Sequence, residues 1–141
     1  DEIQRRVELA IEAVPGAVGV SNHMGSRATA DRRVMEQVLA AVARRGLFFL
    51  DSHTTPDSVV GAVAREFGMP WAQNNLFLDG ERDALAVRRR LELGARRALA
   101  SGHAIVIGHV RPATAAAVAS ILPELQRRGI EVVPVSELLQ H

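Results

Sequence analysis

The sequence contains no cysteine, no lysine and no tyrosine. Without cysteine there can be no disulfide, no zinc–thiolate site and no thiol nucleophile. Such a chain suits an oxidising or a reducing compartment equally. Without lysine there can be no Schiff base and no phosphate-loop lysine. Aromatic residues make up only 4% of the chain, so platforms on which nucleic-acid bases could stack are scarce. No run of about 18 apolar residues occurs, so no membrane span is expected. No basic, apolar and then small-residue leader opens the sequence.

What is present fits one globular α/β domain over residues 1–141. Hydrophobic residues make up 48% and charged residues 23%, with both signs interspersed. A chain of this length buries roughly 70% of its unfolded surface and needs no metal merely to fold. All 17 basic residues are arginine, and the formal net charge is +1. Almost nothing titrates between histidine and arginine, so this small excess alone brings the isoelectric point near 9.2. The densest basic group is Arg88, Arg89, Arg90, Arg96 and Arg97. With no aromatic residue nearby, it reads as a solvated helix face and no nucleic-acid partner is expected.

Apolar periodicity predicts alternating strands and helices. Ile3, Val7, Ala10, Ile11 and Val14 mark a helix that Pro15-Gly16 stops. Ala17–Val20, Leu47–Leu50, Leu76–Leu78, Ala104–Ile107 and Val132–Val135 read as strands, the last an edge strand because of Pro134. Helices are expected from Thr29 to Gly46, from Thr55-Pro56 to Gly68, from Glu81 to Ala100, from Thr114 to Arg128 with a kink at Pro123, and from Ser136 onward. The strands begin near residues 17, 47, 76, 104 and 132, steps of about 28 to 30 residues. That is the length of one right-handed βα unit and predicts one parallel sheet. Five strands make either an open sheet or an incomplete barrel.

In parallel folds the ligand site forms at the carboxyl ends of the strands. Here those ends are polar. They read Ser21-Asn22-His23-Met24-Gly25-Ser26, Asp51-Ser52-His53-Thr54-Thr55, Asp79-Gly80 and Gly108-His109-Val110-Arg111. His23, His53 and His109 are thus expected on one rim with Asp51 and Asp79. His103 precedes its strand and reads as structural, and His141 is terminal and reads as frayed. The plain alternatives are helix caps at Asp51, Thr54 and Thr55 and an ordinary turn at Asp79-Gly80. Imidazoles with carboxylates suit a zinc-like ion, but the spacing is no local metal motif. No GxGxxG, phosphate loop or GxSxG occurs, which argues against a nucleotide-dependent doubly wound regulator.

These same segments carry a resemblance. Val18-Gly19-Val20-Ser21-Asn22-His23-Met24-Gly25-Ser26 is similar to the signature of the divergent polysaccharide deacetylase family. So are Gly46–Ser52 with Thr54-Thr55, Leu76–Asp79, Ile105–His109 and Val133–Ser136, in the family's order and approximate spacing. The resemblance covers essentially the whole chain. It implies a distorted, incomplete (β/α) barrel of the carbohydrate-esterase type. It implies a hydrolase that uses a divalent metal, usually zinc, to remove N-acetyl or O-acetyl groups from a polysaccharide or oligosaccharide of the cell envelope. A periplasmic or extracytoplasmic location follows from the family alone.

By resemblance, the Asn22-His23 segment lines the substrate groove, Asp51 matches a motif aspartate and His109 matches the proposed general acid. The roles then expected are His109 and Asp51 as catalytic residues, with Asp51 orienting His109 or contacting the sugar. His23 is the expected metal ligand, with His109 as a second. Asn22, Ser26, His53 and Arg111 are expected to bind substrate. Two departures stand out. Family members begin with a strand ending in an Asp-Asp pair and a second ending in a histidine segment, and neither is found here. Their Gly-His-Pro is Gly108-His109-Val110. The expectation is the later two-thirds of a longer domain, or a chain whose open sheet edge is covered by a homodimer mate or another partner. The alternative function is a non-catalytic module that binds carbohydrate or a partner.

Overall fold

A computed structural model describes residues 2–81 and 83–141. Its contacts gather into two compact units, Asp1–Gln73 with Val135–His141, and Asn74–Pro134. Each has its own parallel sheet and its own core, so the five-stranded single sheet expected from the spacing is replaced by a three-stranded and a two-stranded one.

The first unit opens with α1 (Glu2–Glu12), followed by β1 (Gly19–Ser21), α2 (Ser26–Thr29), α3 (Arg32–Arg44), β2 (Phe48–Asp51), α4 (Val60–Glu66) and β3 (Trp71–Gln73). The sheet order is β1-β2-β3, all parallel, with Val20 beside Phe49 and Leu50 beside Ala72. The helix expected from Thr29 is two helices, because Asp31 caps α3 by accepting a bond from the Val34 N–H. The helix expected from Thr55 starts only at Val60, and Thr55 instead accepts the Asp57 N–H in a turn. Met35, Leu39, Val42, Phe49, Val60, Val63 and Trp71 form the core, onto which α1 lays Val7 and Ile11. Strand β3 was not foreseen.

The second unit comprises β4 (Leu76–Phe77), α5 (Ala84–Ser101), β5 (Val106–Ile107) and α6 (Pro112–Arg127). Strands β4 and β5 pair in parallel. Asp83 caps α5 through the Ala86 N–H, so the helix starts after the expected Glu81; Arg82 lies outside the described residues. Pro112 occupies the first turn of α6, where its missing N–H costs nothing. Pro123 sits within α6 and does not end it. It forgoes one backbone bond, while Ile121 and Leu125 on either side are buried against Val87, Leu91 and Ala95.

The strand expected at Val132–Val135 does not form. Residues 130–134 adopt no regular structure, and a 3₁₀ turn covers Val135–Leu138. Pro134 removes a ladder donor. The final segment returns to the first unit, where Gln140 and Trp71 exchange backbone hydrogen bonds of 2.7 and 3.0 Å as an isolated antiparallel bridge.

Candidate functional site

The polar residues do stand after the strands, but each unit carries its own group. In the first unit, the residues after β1 and β2 bind one another. The Asn22 amide donates to the Met24 carbonyl at 2.8 Å and to the Ser52 hydroxyl at 2.7 Å, and it accepts the Ser52 N–H at 2.8 Å. Both amide donors and its oxygen are thereby engaged. Asn22, expected to bind substrate, clamps two strand ends together. Ser26, also expected to bind substrate, donates to the Thr54 hydroxyl at 2.8 Å. Asp51 is fully buried, accepting the His53 N–H at 2.8 Å and the Ser58 hydroxyl at 2.7 Å. The clamp holds Met24 and His53 at φ of 57° and 53°, left-handed values that are uncommon for residues other than glycine. His23 is exposed on the segment so held, and His53 is half-buried.

In the second unit, Asp79 follows β4 and is 4% exposed. It accepts the His109 N–H at 2.6 Å, faces His109 Nδ1 at 3.0 Å and accepts the Thr114 hydroxyl at 3.1 Å. The Arg111 guanidinium donates from Nη1 to the Asp79 carbonyl at 3.2 Å and lies 3.7 Å from the carboxylate. Burial opposes ionisation of Asp79, but the bonds from His109 and Thr114 outweigh it and hold the carboxyl below its ordinary value. An ionised Asp79 only accepts, so Nδ1 of His109 carries the proton. The His109 side chain is half exposed beside it.

Within its own unit His109 is paired with Asp79; Asp51, the aspartate expected to orient it, bonds His53 and Ser58 in the first unit. Reasoning from sequence placed Asp79 at a strand end without assigning it a role, and missed Thr114. The signal for Asp79 was Leu76-Phe77-Leu78-Asp79, an aspartate directly after an apolar run. Thr114 gave none, because it meets Asp79 only when α6 packs onto β4.

Among the described residues no three His, Asp or Glu side chains gather as a ligand set. Asp51 accepts one protein donor on each oxygen, and Asp79 accepts from His109 and Thr114.

These features define a parallel α/β protein with polar groups at the carboxyl ends of its strands, one of them a buried aspartate–histidine pair. The chain belongs to the divergent polysaccharide deacetylase family, whose pattern matches residues 1–139. It is 39% identical over 137 residues to an uncharacterized protein of Haemophilus influenzae, covering 97% of this chain and 49% of that one. It is 34% identical over 139 residues to the uncharacterized protein YibQ of Escherichia coli, covering 99% and 43%. The crystal structure of an uncharacterized protein of Agrobacterium tumefaciens is similar with a TM-score of 0.87 at 29% identity, over 94% of this chain and 56% of that one. The chain thus spans about half the length of the curated relatives it matches.

Proposed function

We propose that this chain carries the proton-transfer part of a carbohydrate deacetylase, a hydrolase acting on acetyl groups of a polysaccharide. The observation that carries the reading is the Asp79–His109 pair, a buried carboxylate on Nδ1 of a half-exposed imidazole. With Nδ1 fixed as the protonated nitrogen, Nε2 is the atom through which the ring exchanges a proton with a ligand. In amide hydrolysis water adds to the carbonyl carbon and the C–N bond breaks. Nε2 of His109 takes the proton that the attacking water loses, and the imidazolium so formed passes it to the departing amine as the C–N bond breaks, giving acetic acid, which ionises to acetate, and a free amino sugar. Arg111 uses Nη1 to hold Asp79, and its remaining N–H groups serve to bind a substrate oxygen as negative charge develops there. His23 and His53 are the first unit's candidates for contact with sugar. No step is routed through a metal. We assign the activity to a periplasmic or other extracytoplasmic compartment, where acetylated envelope polymers lie.

The test is acetate release from N-acetylated chitooligosaccharides and from O-acetylated xylan. The expected result is turnover by the protein and a loss of about 10²- to 10³-fold in His109→Ala. A second reading, non-catalytic carbohydrate binding, is favoured by the lack of a three-residue ligand set among the described residues. Oligosaccharide binding with no acetate released, and with His109→Ala indistinguishable from the parent, would establish it instead.

A further inference from the structure

We propose that Val110 is a ligand-contact residue that packs against the C–H face of a sugar ring. The proposal rests on the carbohydrate reading above and deepens it to one residue. Val110 is completely exposed, at 106% of the reference accessibility. A lone exposed valine normally needs no explanation. This one occupies the centre of a three-residue turn closed by the Arg111 N–H bonding the His109 carbonyl at 2.9 Å.

Both neighbours of Val110 are tied to the buried Asp79, His109 by its N–H and ring, and Arg111 by its guanidinium. The turn is therefore held from both sides while the valine packs against nothing. A β-branched side chain has little rotamer freedom to lose, and a support already fixed lowers the ordering cost of binding.

The chemistry on either side fixes the class of ligand. His109 and Arg111 present hydrogen-bonding groups, and between them stands an aliphatic tip. That alternation fits a ring with hydroxyls on its rim and C–H groups on its face. The unit's one Phe, Tyr or Trp residue, Phe77, lies in β4 and is half-buried. Of the exposed apolar side chains in this unit, Val110 is the one that stands between His109 and Arg111.

The test is calorimetric titration of tetra-N-acetylchitotetraose into the parent, Val110→Ser and Val110→Trp, with thermal unfolding of each. Val110→Ser is expected to weaken the dissociation constant about 3- to 10-fold. Val110→Trp, which enlarges the apolar platform, is expected to tighten it about threefold or more. Unfolding temperatures should not move, since the side chain touches nothing in the folded chain. Equal affinity in all three overturns the role of Val110 and leaves the carbohydrate reading standing. A weaker variant that also unfolds several degrees lower overturns it too, because the effect is then structural. A parent that binds no oligosaccharide overturns both.

Discussion

His109 meets the buried carboxylate of Asp79 twice, through its backbone N–H at 2.6 Å and its ring Nδ1 at 3.0 Å. One side chain thereby fixes both the path of the chain after β5 and the tautomer of the imidazole. Asp79→Ala removes the acceptor for these two donors and for the Thr114 hydroxyl at once. Leaving such donors unpaired costs about 1–3 kcal/mol for each one that is buried, and the costs of neighbours do not simply add. We expect a loss of about 2–4 kcal/mol in urea unfolding. A loss under 0.5 kcal/mol would show that Asp79 does not hold the turn.

Asn22 clamps β1 to β2, and its chemistry predicts an asymmetric response. Asn22→Asp keeps the shape and the acceptor for the Ser52 N–H but removes both donors. A carboxylate oxygen then faces the Met24 carbonyl. We expect a loss of about 1–2 kcal/mol in stability, read by denaturant unfolding. An unchanged midpoint with weakened sugar binding would return Asn22 to the substrate-binding role first expected of it.

The elements legible in the sequence are those whose signal is local. The 3.6-residue stripes of α1, α3 and α5 and the apolar runs of β2 and β4 needed no partner to be recognised. Trp71–Gln73 failed that test. It is three residues between Pro70 and Asn74, too short for any period, and only pairing with β2 makes it a strand. Val132–Val135 failed the other way, apolar enough to read as a strand but with a proline and no neighbour. The same divide runs through the site. Spacing put Asp51, Asp79, His53 and His109 after strands, but which aspartate serves His109 is settled by packing across about 30 residues, which local pattern does not encode.

Gly61 lies against the Trp71 indole, and a Cβ built there would sit 2.4 Å from the ring. The ring has little room to yield. It is 3% exposed, lies in the core with Val60, Val63 and Met69, and has Arg65 stacked 5.3 Å from its centroid. Gly61→Ala should gain helix propensity in α4 and still lose overall, because overpacking a filled core costs about 1–3 kcal/mol against less than 1 gained. The expected result is a lower unfolding temperature with blue- or red-shifted tryptophan emission. A more stable variant would mean that the indole shifts freely.

Zinc, the metal the resemblance implies, can be tested directly. Calorimetric titration of this chain is expected to give no saturable site, and His23→Ala is expected to give the same baseline. The reason is that no three ligands gather among the described residues. A one-to-one isotherm abolished in His23→Ala would overturn this and restore His23 as a ligand.

Acid should unfold the second unit partly through Asp79, and the sign follows from the direction of its shift. Its carboxyl is held below the ordinary value of 3.8 in the folded chain. The unfolded state therefore binds the proton more readily, and stability falls as protons are added. The contribution of Asp79 is complete above the unfolded value and is lost as pH falls through the folded one. Glu92, lowered by its Arg128 pair against the opposing effect of burial, titrates in the same direction, so the parent alone cannot separate the two. Asp79→Asn can. Its stability should lie below the parent's at pH 6, and the gap should narrow steadily as pH drops below about 4. A gap that stays constant down to pH 2 would show that Asp79 titrates alike in the folded and unfolded chain, and that its bonds to His109 do not favour the ionised form.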